Sequence, residues 1–193
     1  MKFKLYILLC LIIAILSACD LFMTRDPEDP AERKSNFQSA FIPQIVIENL
    51  KNSFSDKNVQ NYLACFVDTS FSARSFHFQP SSEALSQYQF LGQGWNLSDE
   101  QRYLNSVIAS VPADFPLILS FSDETFSRSG DTVVYSASYS INLPFIEPEQ
   151  SVYQGNVQFN MTNDARSVWV IYYWQDIKSP GISSWSELKG KYY

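Results

Sequence analysis

Residues 132–143 read Thr132-Val133-Val134-Tyr135-Ser136-Ala137-Ser138-Tyr139-Ser140-Ile141-Asn142-Leu143, and this stretch decides the fold. Val133, Tyr135, Ala137, Tyr139, Ile141 and Leu143 fall on one face. Ser136, Ser138, Ser140 and Asn142 fall on the other. Strict period-2 alternation over this length predicts an antiparallel strand with one buried and one wet face. The pattern recurs in Tyr153, Gly155, Val157, Phe159 and Met161, set against Gln154, Asn156, Gln158 and Asn160. Ser129-Gly130-Asp131 and Thr162-Asn163-Asp164 supply turns on either side. Ahead of them, Leu117, Leu119 and Phe121 alternate as well.

The last strand is different. In Val168-Trp169-Val170-Ile171-Tyr172-Tyr173-Trp174 both faces are apolar, which predicts a central strand or one covered on both sides. Pro180-Gly181 ends the pattern, and Trp185 with Leu188 is expected to form a closing turn packed on the domain.

The segment before the strands reads as helical. Pro43 suits a first helical turn, and Ile47, Leu50 and Phe54 share a face. Ser55-Asp56-Lys57-Asn58 interrupts. Val59, Tyr62, Leu63 and Phe66 then follow the i, i+3, i+4, i+7 spacing of an amphipathic stripe. Arg74 to Gln79 alternates and is expected to be a first strand. A further helix is expected from Ser98, where Ser98-Asp99-Glu100-Gln101 fits a capping box. Leu104, Val107, Ile108 and Val111 are its expected buried face, and Pro112 stops it.

Helices first and long antiparallel strands afterwards is an α+β order. The helical pair Ile45–Phe66 and the aromatic strand Val168–Trp174 resemble the nuclear transport factor 2-like superfamily over residues 44–178. The resemblance implies N-terminal helices packed into the concave side of a curved antiparallel sheet. A small β-barrel or open-barrel lipid carrier is the alternative architecture. The superfamily contains isomerases, dehydratases and hydrolases beside binding and scaffold domains, so the fold leaves function open.

Candidate site residues follow from that implied cone. Asp176 shares strand parity with Val168, Val170, Tyr172 and Trp174, which would bring it to the cone mouth. A carboxylate on an apolar wall has a raised pKa and suits a general base. Tyr139, Tyr172 and Trp174 are candidate pocket-lining aromatics, with ordinary core packing as the alternative. His77 is the chain's one histidine, between Phe76 and Phe78, and is expected to point away from both. No glycine-rich phosphate loop, Cys-x-x-Cys or nucleophile elbow is present, and no cofactor is implied.

The N-terminus carries the address. Lys2 and Lys4 precede an apolar run from Leu5 to Ile15, and Leu16-Ser17-Ala18-Cys19 follows. This is the layout of a secretory signal peptide, and its last four residues resemble the lipobox of bacterial lipoproteins. The apolar run is short for a membrane span, which needs about 20 residues. A plain signal peptide cut at another bond is the remaining alternative. The resemblance implies removal of residues 1–18, lipidation of Cys19 (a diacylglyceryl group, often palmitate-bearing) and attachment to the inner or outer membrane of a bacterial envelope. The domain would then stand in the periplasm or at the surface. Residues 19–40, with Asp26-Pro27-Glu28-Asp29-Pro30, read as a flexible tether, and residues 41–193 as a single domain.

Composition narrows the partners. The 14 basic side chains fall to 12 without Lys2 and Lys4, against 20 acidic ones. That balance argues against a nucleic-acid partner, which needs a basic face, and against a polybasic membrane patch, so the lipid must do the anchoring. Expected partners are the membrane, an envelope protein or a small apolar ligand. Cys10 leaves with the signal peptide and Cys19 is lipidated. Cys65 alone then remains, expected as a buried small hydrophobe rather than a disulfide partner. The neutral polar strand faces argue for a monomer or a weak dimer.

Overall fold

The computed structural model describes residues 36–143 and 152–193, which belong to one compact unit. Cys19, the lipobox and most of the expected tether lie outside the described residues. Two helices open the domain, α1 (Pro43–Ser55) and α2 (Val59–Leu63). Pro43 stands in the first turn of α1, where its missing N–H costs nothing. Val46, Ile47, Leu50 and Phe54 face the core. The Asn58 side chain caps α2 by accepting from the Asn61 N–H at 3.0 Å. Residues 36–40, expected in the tether, already belong to the domain. The Asn49 side chain pairs with Gln38 N–H and C=O at 2.9 and 2.6 Å, and Trp169 N–H donates to Ala40 C=O at 2.7 Å.

The sheet has five strands in the order β1-β5-β4-β3-β2. β2 (Ile118–Ser129), β3 (Thr132–Asn142), β4 (Val152–Asn163) and β5 (Trp169–Lys178) form an antiparallel meander. In β3, the residues from Val133 to Ile141 on the expected inward face are buried and the serines opposite them are half-buried, as the alternation predicts. β1 (His77–Gln79) departs from expectation. It is three residues long and pairs parallel with β5, so the sheet is mixed rather than purely antiparallel. The chain reaches that edge from α2 on the helical side, which sets its direction.

Three further elements pack on the inward face: α3 (Ser82–Gln87), α4 (Leu97–Ala109) and α5 (Trp185–Tyr192). The cap of α4 is Asn96, two residues before the expected Ser98. Asn96 and Asp99 form its capping box. α5 is a two-turn helix where a closing turn was expected, with a Ser184–Glu187 capping box of its own. It lies over the sheet beside α3 and α4.

β5 also corrects a parity. A bulge between its pairings with Asn160 and Met161 leaves Tyr172 unpaired. A bulge shifts which face the following side chains take. Trp169 and Ile171 therefore face inward before it, and Trp174 and Asp176 after it. Val170 is buried on the opposite face, consistent with a central strand. Among the described residues no helix is long and apolar enough to cross a membrane.

Gly155 marks the tightest spot between strands. A Cβ there would lie 2.6 Å from the Ile177 carbonyl oxygen and 2.7 Å from the Tyr139 hydroxyl. Its absence makes room for the Tyr139 ring. Gly155→Ala is expected to destabilise the fold by about 1–3 kcal/mol, read as a lower denaturant midpoint with an unchanged slope. An unaltered midpoint would contradict this packing.

Candidate functional site

The cone interior holds two buried polar clusters, both centred on α5. In the first, Asp176 sits at the start of that helix, 2% exposed. Its Oδ1 accepts from the Tyr139 hydroxyl at 2.7 Å. Its Oδ2 accepts from the Ser186 N–H at 2.7 Å and the Ser186 hydroxyl at 2.5 Å. The Tyr139 hydroxyl in turn accepts from the Trp185 N–H at 2.6 Å. Thus Asp176 and Tyr139 satisfy the free N–H groups of the first turn, where a negative charge is also favoured by the helix dipole. Ser81 joins from α3, its N–H donating to the Ser186 hydroxyl at 3.0 Å. Burial pushes the Asp176 carboxyl above its ordinary range, while the four hydrogen bonds from Ser186, Tyr139 and Ser184 pull it back. Every oxygen of Asp176 is thereby committed to structure.

The second cluster pairs Lys189 of α5 with Glu100 of α4, both fully buried. Glu100 also accepts from the Tyr62 hydroxyl at 2.7 Å and the Trp95 indole N–H at 2.6 Å. The Lys189 ammonium stands 3.4 Å from the Trp174 ring centroid and 3.8 Å from that of Phe78. Trp95 and Tyr103 close the cage at 5.5 and 5.7 Å. A cation over aromatic faces is attracted by the ring quadrupoles, the more so when dry. Burial still outweighs these partners and lowers the Lys189 pKa to about 8, against the pull of Glu100. Tyr62 and Tyr103 are pushed well above the usual tyrosine range, first by burial and then by the Glu100 charge.

Trp185 fills what remains of the cone. Its ring meets Trp174 edge-on at 4.5 Å, Tyr139 at 5.3 Å and Phe54 at 5.5 Å, and its indole N–H donates to the Tyr103 hydroxyl at 3.0 Å. The residues read as candidates from sequence therefore separate. Asp176, Tyr139 and Trp174 converge, but on α5 rather than on a cavity. Tyr172 is carried away by the bulge and lies half-buried under the Arg74 guanidinium at 4.4 Å. His77 is exposed and stacks on Tyr173 at 5.6 Å. Glu100 and Lys189 were not singled out from sequence. Glu100 stands in the first turn of α4, the ordinary place for a solvated acid, and Lys189 sits in a short polar stretch with no apolar stripe.

Concavities among the described residues lie outside the cone. One is an apolar groove of about 350 Å³ between residues 37–41, α1 and the start of β5. Another is a polar groove of about 370 Å³ on the outer sheet face, with Ser138, Ser140, Gln154 and Asn156 among its lining. Cys65 borders the first, buried, with its thiol pushed up by burial and donating to the Asn61 carbonyl at 3.4 Å. Among the described residues no three metal-ligating side chains converge.

The architecture matches known structures. This is a nuclear transport factor 2-like fold. A nuclear transport factor 2-like protein of unknown function from Pseudomonas putida superposes with a TM-score of 0.52 at 12% identity, over 71% of this chain and 83% of its own. A candidate aromatic ring hydroxylase from Novosphingobium aromaticivorans gives 0.52 at 11% identity, over 76% and 92%. A candidate dehydratase of the same fold from Streptomyces avermitilis gives 0.51 at 8% identity, over 70% and 92%. No family model matches the sequence, and no curated protein does. Likeness at this level establishes the fold.

Removing one member of a buried ion pair leaves the other uncompensated. Lys189→Met is therefore expected to destabilise by about 3–5 kcal/mol, while Lys189→Met with Glu100→Gln recovers most of that loss. A denaturant double-mutant cycle measures the coupling, and additive losses would contradict the pairing. The sign with pH follows from the lowered pKa. An unfolded lysine titrates near ~10.4, so above pH ~8 the unfolded chain binds more protons at this site than the native one, and stability rises with pH there. Between pH ~8 and ~9.5, below ordinary tyrosine titration, wild type should gain stability relative to the double variant. Parallel profiles would contradict the assignment.

Proposed function

We propose that the protein is a lipid-anchored component of a bacterial envelope, carrying a non-catalytic binding or scaffold domain. The observation that supports the second half is the filled cone. Where a pocket enzyme of this fold would hold substrate, this chain holds its own Trp185 and Lys189. The one inward acid that sequence suggested as a base, Asp176, spends both oxygens on Ser186 and Tyr139. The first half rests on Lys2, Lys4, the apolar run and Leu16-Ser17-Ala18-Cys19. Its partners in this reading are the membrane, reached through lipid on Cys19, and an envelope protein or apolar molecule bound outside the cone. The neutral polar outer sheet face suits a monomer or a weak dimer.

An enzyme is the second reading, favoured by one observation: a lysine with a pKa of about 8 buried beside two acids. The isomerase, dehydratase or hydrolase chemistry open to such a site would require α5 to leave the cone.

Three measurements test the proposal. Cys19→Ser is expected to lose incorporation of fed labelled palmitate and to leave the membrane fraction. Retention of both label and membrane association would refute the anchor. Asp176→Asn presents amide hydrogens to a ring of donors and is expected to destabilise by about 1–3 kcal/mol. Native mass spectrometry of the full chain should show lipid-derived mass alone. A co-purifying polar small molecule, lost on Asp176→Asn, would replace the scaffold reading with the enzyme.

A further inference from the structure

The apolar groove ends in a lip that nothing in the described domain covers. Phe41 is 66% exposed and Ile42 52%, side by side at the mouth of α1. Ile42 is also the N-cap of that helix and makes no side-chain capping bond. Ser, Thr, Asp or Asn would be the ordinary choice there, so an apolar residue replaces a stabilising one where it faces outward. Phe37, Val46, Ala64, Val168 and Trp169 continue the apolar surface into the groove. On the far rim Phe71 is 39% exposed beneath the Arg166 guanidinium, 4.2 Å from its ring centroid. That guanidinium is neutralised by the buried Asp164, at 2.8 and 2.5 Å. The patch is therefore apolar, aromatic and without net charge in its lining.

Its position matters as much as its chemistry. The chain enters the domain through this wall, at Phe37. Only residues 20–36 separate that point from Cys19. If that segment is a flexible coil it would span roughly 20–25 Å, and a lipid on Cys19 would then keep the groove end within reach of the bilayer. With 12 basic against 20 acidic residues once Lys2 and Lys4 are removed, the chain gains nothing from anionic head groups, so contact must come from apolar side chains entering the interface.

We infer that the groove end is the membrane-facing end of the domain, with Phe41 and Ile42 seated in the interface of the bilayer that holds the anchor. The inference rests on the lipid-anchor reading. It sets the domain's orientation: the outer end of β5 and the loop at Ile182 point away from the membrane. The ten residues of β5 put those two ends roughly 30 Å apart, at ~3.3 Å per residue.

The test uses the full lipidated chain on vesicles of phosphatidylcholine alone. Phe41→Cys and, as the distal reference, Ile182→Cys each receive a nitrobenzoxadiazole fluorophore. Cys65 is buried with a raised thiol pKa and does not compete for label. On vesicle-bound protein, the probe at 41 should shift to the blue and resist dithionite several-fold longer than the probe at 182. Equal reduction rates at both sites, or protection at 182 alone, would overturn the inference while leaving the anchor intact. Protection at 41 without vesicles, with a dimer mass by light scattering, would assign the patch to a second copy instead and also overturn it. A chain without acyl mass that fails to float with vesicles would remove the anchor and the inference together.

Discussion

The contact on which the rest depends is the Lys189 ammonium held between the Glu100 carboxylate and the Trp174 and Phe78 rings. It ties the last helix to α4, to the central strand β5 and to the edge strand β1 at once. A buried ion pair is not by itself a source of stability, because desolvation offsets most of the Coulomb gain. What it supplies is register. The ammonium can satisfy its charge in one place only, so α5 can dock in one way only. The aromatic faces and the Tyr62 and Trp95 donors around Glu100 make that place tolerable. Asp176 performs the complementary task at the other end of α5, capping its first turn.

That docking changes what the fold can be used for. A curved sheet with helices over it encloses a space, and the functional diversity of such folds comes from what fills it. Here the filling is intramolecular: Trp185 in the centre, Lys189 against the far wall. A ligand competing for the same space must break an ion pair, four hydrogen bonds to Asp176 or Tyr139, and the contacts of a buried indole. The cone interior has become core, and in the proposed reading recognition moves to surfaces. Two of the concavities outside it differ sharply, one apolar at the chain's entry and one polar on the outer sheet face.

The sheet was legible in the sequence because its signal is local. In β3 and β4 every second residue is apolar, and backbone geometry converts that directly into two faces. β5 was legible as central but not in its facing. The bulge at Tyr172 arises from pairing with β4 and inverts parity midway, so Tyr172 was placed with Trp174 when the two point apart. The site was least legible. Glu100 follows Asp99 in a first helical turn, the ordinary place for a solvated acid. Lys189 lies in Ser-Glu-Leu-Lys-Gly-Lys, which reads as surface. Their burial is a property of the pair, separated by 89 residues, and no single-residue pattern contains it. Asp176 was found for a sound reason, a carboxylate on an inward face, but its role was set by Ser186, ten residues on.

The closed cone and the N-terminal address fit each other in a physical sense. An enzyme of small diffusing substrates gains little from attachment, since its pocket works equally well in solution. A domain that acts through its surface gains concentration and orientation from being held, because tethering turns an encounter into an intramolecular one. Orientation in turn requires that one end of the domain prefer the membrane, and an acidic chain cannot express that preference through charge. Exposed phenylalanine and isoleucine beside the entering chain can. The Lys189–Glu100 pair, by fixing α5 and closing the interior, leaves the groove at Phe37–Phe41 as an apolar concavity facing outward. In the proposed reading, Cys19 and that groove describe one arrangement: a lipid that would hold the domain, and a surface that would decide which way it faces.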